Sequence, residues 1–124
     1  MASAVNWFDI PVGDIQRAKA FYDTILGVQL EVQDTPMGKT AMFPADWQHG
    51  EIGGAISQND VRTPSAAGSL IYLNANPDLQ PILDRVEEAG GKILTAKTAV
   101  GMDAGYFALF TDTEGNTVGL HSIG

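Results

Sequence analysis

The sequence predicts an α+β fold of two tandem βαβββ modules, together forming a cup-shaped mixed sheet. Three observations predict it. First, residues 14–30, DIQRAKAFYDTILGVQL, are echoed by residues 78–94, DLQPILDRVEEAGGKIL. Both run Asp, apolar, Gln, an amphipathic stretch, then a glycine (Gly27, Gly91) and an apolar strand start. Repetition on this scale constrains the fold of the whole chain. Second, strand-like segments flank each copy in the same order. Third, a polar connector bearing Pro and Gly, Gln58–Gly68, separates the copies. The 124 residues therefore read as one domain, 1–124, with a first module at 1–60 and a second at 66–124.

The elements follow in order. Val5 to Val12 has the β-branched and aromatic content of a strand and a Pro near its end. Gly13-Asp14 turns the chain, and Asp14 is placed to cap a helix. Ile15, Ala18, Tyr22, Ile25 and Leu26 then fall on one helical face, and Gly27 ends that helix. Val28–Gln33, Lys39–Phe43 and Glu51–Ser57 supply three further strands.

The second copy opens with a strand at Leu70–Ala75. Leu79, Ile82, Leu83, Val86 and Ala89 line a helix closed by Gly90-Gly91, with Pro81 in the first turn, where its missing N–H is tolerated. Lys92–Thr98, Tyr106–Thr111 and Thr117–Ser122 complete the set. Between the last two, TDTEGN at 111–116 reads as a tight turn with Gly115 in the special conformation. In each module one sheet face carries the helix; the other is left to form a concave wall, the usual place for a small ligand.

Composition excludes several classes. The net charge is −8 and no basic cluster offsets it, so nucleic acid is not expected as a partner. No apolar run approaches the ~20 residues a membrane span needs. The opening MASAVNWFDIPV has neither the basic n-region nor the apolar core of a signal peptide, which sets the expectation of a cytoplasmic protein. With no cysteine, disulfides, thiolate metal sites and cysteine nucleophiles are all ruled out.

Three stretches carry a resemblance: FDIPVGDIQRAKAFYDTILG at 8–27, DRVEEAGGKIL at 84–94 and FALFTDTEGNTVGLHS at 107–122. In these the chain resembles the vicinal oxygen chelate superfamily, the group of glyoxalase I, bleomycin-resistance proteins and extradiol dioxygenases. The resemblance covers nearly the whole chain. It implies the paired βαβββ fold; it does not select a reaction, because one scaffold hosts many chemistries. It also implies where a metal would sit: four ligands, usually His, Gln or Glu, on the first and fourth strand of each copy, facing the cup. Carried over position by position, those places hold Trp7, Ala55, Leu70 and Gly119. None offers a usual donor, so no cofactor is predicted and a divalent metal is not expected. A displaced metal site would have to draw on His49, Glu51, His121 and Asp9, which show no metal-ligand spacing.

Strand alternation places Trp7 and Asp9 on the cup side, where Asp9 suits a general base or a hydrogen-bond acceptor. His121, two residues beyond Gly119, shares that side, and imidazole moves protons near neutrality. Tyr72 and Asn74 share the parity of Leu70 and are read as further ligand contacts. Trp47 and His49 are candidates for a loop over the cup, and Gly101–Gly105 for a flap beside it.

Three function classes follow. The first is a metal-free small-molecule-binding protein of the bleomycin-resistance type. The second is a glyoxalase- or dioxygenase-like enzyme, of the lyase or isomerase proton-transfer kind, using Asp9 and His121 or a non-standard metal. The third is an interaction module with a filled cup. Unpaired sheet edges, and the resemblance, both point to a homodimer.

Overall fold

The computed structural model describes residues 3–124, the side chain of Trp47 excepted. The elements run β1 (Trp7–Pro11), α1 (Ile15–Leu26), β2 (Val32–Thr35), β3 (Gly38–Met42), a short 3-10 turn (Trp47–His49) and β4 (Gly53–Gln58). The second half runs β5 (Tyr72–Asn74), α2 (Gln80–Val86), β6 (Lys92–Ala99), β7 (Tyr106–Thr111) and β8 (Thr117–Ser122). This is βαβββ twice, as the repeat predicts. Two four-stranded sheets form, ordered β1-β4-β3-β2 and β5-β8-β7-β6. Each is mixed: β1 runs parallel to β4 and β5 to β8, while the other neighbours are antiparallel.

Local chemistry sets the element ends. Asp14 caps α1, its Oδ1 accepting from the backbone N–H of Gln16 (3.0 Å) and Arg17 (3.2 Å). Gly27 closes the helix in the left-handed region, at φ 66°. Residues 28–31, expected to open the second strand, lie outside it. Asp23 draws them onto α1 instead: its backbone carbonyl accepts from Val28 (3.1 Å) and its Oδ1 from Leu30 (2.7 Å). Leu30 N–H is thereby taken up at the helix, and pairing with β3 begins at Val32. Similarly, β4 starts at Gly53 rather than Glu51. The Glu51 N–H is bonded back to the Asp46 carbonyl, and Glu51 Oε1 accepts from Asp46 N–H at 2.7 Å.

One apolar core serves both halves. Ile10, Ala41 and Ile56 of the first sheet and Leu73, Ala108, Phe110, Val118 and Leu120 of the second join the buried faces of α1 and α2. Helix α1 touches both sheets. Tyr22 meets Phe43 edge-on at 5.5 Å, and Phe21 meets Phe110 at 5.8 Å between ring centroids.

The β7–β8 turn ties the second half to the start of α1. Glu114 Oε1 accepts from the backbone N–H of Gly13 and Asp14, and its carboxylate is bound by Arg17 at 2.6 and 2.9 Å. Asn116 donates to the Pro11 carbonyl (2.7 Å), and the buried Tyr22 hydroxyl donates to Asp112 (2.7 Å). Gly115, at φ 89°, makes the turn possible. No helix among the described residues is long and apolar enough to cross a membrane.

Candidate functional site

With one face of each sheet committed to the core, the opposite faces carry the side chains of interest. On the first sheet, the register pairs Trp7 with Gly53 and Asp9 with Ala55. On the second, it pairs Tyr72 with Gly119 and Asn74 with His121. The two sheets thus repeat one device. An aromatic on the first strand lies across a glycine on the fourth. A Cβ on Gly53 would stand 2.6 Å from Trp7 Cζ3, and one on Gly119 would stand 2.5 Å from Tyr72 Cδ2. At either glycine a side chain would force the ring to shift. Both rings keep a solvent-facing side, at 42% exposure for Trp7 and 48% for Tyr72.

This register changes two of the four metal-position equivalences drawn from the sequence. Leu70 lies before β5, and Tyr72 takes the place that matches Trp7. Ala55 sits beside Asp9, and Gly53 takes the place that matches Gly119. The register-matched set is Trp7, Gly53, Tyr72 and Gly119. It presents no imidazole, carboxamide or carboxylate, and its aromatic rings fill the space over the glycines. The donor set therefore does not fit the divalent centre that the resemblance implies. Nor do the described residues hold any group of three or more His, Cys, Asp or Glu able to bind a metal elsewhere. His49 Nδ1 lies 2.8 Å from both carboxylate oxygens of Asp46, so His49 and Glu51 hold their own loop together.

Asp9 is exposed on the open face of the first sheet and accepts from Ser57 Oγ at 3.1 Å; Ser57 in turn lies 3.2 Å from Thr40 Oγ1. No ion pair among the described residues involves it. His121 is on the other sheet and half-buried. Its Nε2 donates to the Ala104 carbonyl at 2.6 Å, which leaves Nδ1 as the acceptor of a neutral ring. No hydrogen bond joins Asp9 to His121, which lie on different sheets.

The Ala104 contact belongs to the loop read as a flap. It closes as a hairpin, with Val100 N–H bonded to Gly105 and Ala104 N–H to Gly101, both at 2.9 Å. Met102 and Asp103 both adopt positive φ, 55° and 54°. Trp47, read as part of a cover over the cup, has its side chain outside the described residues.

A cleft of about 760 Å³ opens where the two halves meet beside β1 and β5, each the edge strand of its sheet. Tyr72 and Asn74 line it; Trp7, Asp9 and His121 do not. Its floor is the border of the core, where Phe8 and Phe43 stack at 5.7 Å. Phe8, Phe43 and Ile52 were not singled out from the sequence. The first two alternate onto the core side of their strands, and strand periodicity marks such residues as packing alone.

The burial of Tyr22 pushes its phenol well above the usual value of 10.0, and Asp112 adds to this, so the hydroxyl stays a donor. Burial alone would raise the Glu114 carboxyl. Hydrogen bonds from Arg17, Asp14 N–H and Thr113, with the Arg17 charge, outweigh it and leave Glu114 below the ordinary 4.5.

Comparison with known proteins agrees with this geometry. The family model described as Glyoxalase/Bleomycin resistance protein/Dioxygenase superfamily matches residues 4–120. A glyoxylase-like domain-containing protein of Didymella fabae is 29% identical over 116 residues, covering 91% of this chain and 88% of its own. Among solved structures, a glyoxalase/bleomycin resistance protein from Albidiferax ferrireducens T118 superposes with a TM-score of 0.70 at 16% identity, over 95% of this chain and 97% of that one. A glyoxalase-related enzyme from Fulvimarina pelagi gives 0.69 at 15% identity, over 98% and 88%. At such identities the structural likeness is one of fold.

Proposed function

Because this chain belongs to the Glyoxalase/Bleomycin resistance protein/Dioxygenase superfamily, we propose that it is a member that binds a small organic molecule without a metal. One observation carries the reading. At the register-matched places, Trp7 lies on Gly53 and Tyr72 on Gly119, so each open sheet face offers an aromatic platform in place of metal donors. Polar groups flank each platform: Asp9, Ser57 and Thr40 on one sheet, Asn74 and His121 on the other. A planar ring fixed on its glycine gives a ligand apolar contact, and the neighbouring groups orient it by hydrogen bonds.

Closure of these faces by a second copy is part of the proposal. Trp7, Met42 and Tyr72 leave apolar surface open on them, and such surface is normally covered. A cytoplasmic location fits the acidic, cysteine-free composition.

Elemental analysis of untagged protein, followed by titration with nickel, zinc, manganese and iron, tests the metal-free reading. The expected outcome is no stoichiometric metal under any of these conditions. Loading of one ion per chain at micromolar affinity would sink it and move acid–base chemistry at a metal to first place.

A further inference from the structure

We propose that the cleft between the two halves is a second ligand site, selective for an organic cation with an apolar body. It lies apart from the Trp7–Asp9 face. Three observations converge on it. Its rim gathers apolar side chains that a folded chain normally covers: Val5 (51% exposed), Ile52 (41%) and Leu70 (39%), with Tyr72 across from them. Its floor is aromatic, the stacked pair Phe8 and Phe43. Among the described residues, its lining contains one charged residue, Glu51, and no Lys, Arg or His.

That combination discriminates by charge. An alkyl or aryl body loses water against the rim and the phenyl rings. A cationic head gains from the ring faces and from a carboxylate with no Lys, Arg or His beside it among the described lining residues. An anionic head meets Glu51 and a chain of net charge −8. Glu51 is held for this role by its own loop. Its Oε1 accepts from Asp46 N–H at 2.7 Å, and Oε2 is not engaged in any hydrogen bond among the described residues. At about 760 Å³ the cleft is within the usual range of small-molecule sites.

The test is calorimetric titration of the full chain with 4-phenylbutylamine, 4-phenylbutanol and 4-phenylbutyrate, which share a body and differ in charge. The amine is expected to bind more tightly than the alcohol, and the carboxylate not at all. Glu51→Gln retains an acceptor for Asp46 N–H. It should weaken the amine about tenfold and leave the alcohol unchanged. Leu70→Ala, at a solvent-exposed rim position, should weaken amine and alcohol alike. Asp34→Asn, at an exposed carboxylate outside the lining, should change neither. Equal binding of amine and carboxylate, or an amine affinity indifferent to Glu51→Gln, overturns the proposal. So does loss of amine binding in Asp9→Asn with Glu51→Gln silent, an outcome that assigns the ligand to the open sheet face. This inference builds on the small-molecule reading, yet the two fail separately: a loaded metal would overturn the metal-free face and leave amine selectivity at Glu51 intact.

Discussion

Gly53 and Gly119 face the same demand and differ in how it can be met. At Gly53 the nearest atoms are Cζ3, Cε3 and Cη2 of Trp7, the far end of a long side chain. At Gly119 the contact extends to Tyr72 Cγ, 3.0 Å from the ideal Cβ, so relief requires the whole ring to turn about χ1. Gly119→Ala should therefore cost about 1–2 kcal/mol, and Gly53→Ala less than about 1 kcal/mol. Thermal denaturation measures both; equal losses would show that the rings do not lie as described. The sequence carries half of this arrangement. Alternation places Trp7 and Asp9 on the open face, and the exposures agree. The register does not follow from alternation. Leu70 and Tyr72 differ by two positions, as do Ala55 and Gly53, and a shift of two keeps the face while changing the row. A pattern of period two is blind to that slip.

At the scale of elements, the β7–β8 turn matters most, because it completes the N-terminus of α1. Glu114 has a folded pKa below its unfolded value. Its contribution to stability is fully present above about pH 4.5 and is lost as pH falls through the folded value. Glu114→Gln removes that contribution. The gap in Tm between the parent and Glu114→Gln should be widest near pH 7 and close as pH drops toward 3. A gap that stays constant with pH would mean that the ionised carboxylate contributes nothing. The capping role of Asp14, the stop at Gly27 and the turn at Gly115 could all be read locally, since each depends on neighbours in sequence. Local signals could not show Asp23 drawing residues 28–31 onto α1, or Glu51 folding back on Asp46. In both cases side-chain or turn hydrogen bonds displace a strand start whose apolar pattern is otherwise sound.

For the whole molecule, the open faces make association the expected state. Light scattering on a sizing column should report a dimer. Trp7→Asp combined with Tyr72→Asp, at two positions exposed in the single chain, should return it to a monomer with little loss of secondary structure. A monomeric parent would remove the second copy from the proposal. The fold could be read at this scale because duplication shows in the chain itself, in an Asp-apolar-Gln start repeated at 14 and 78 with a glycine thirteen positions on, even though α2 stops at Val86, before the Ala89 end that its apolar pattern predicts. The cleft could not. It is assembled from two strand edges and a loop that lie far apart in sequence, and no periodicity marks such a meeting.

The reach of the Glu114 contact also sets an order of events. Its bond to Gly13 spans 101 positions of a chain of 124. Until Asp112–Asn116 has been synthesised, the first helix lacks the acceptor for its Tyr22 hydroxyl and the carboxylate that anchors Arg17. Closing so long a loop is a late and slow step. On a ribosome, then, the first half waits: what looks like a finished repeat after sixty residues is completed only when the last hairpin arrives.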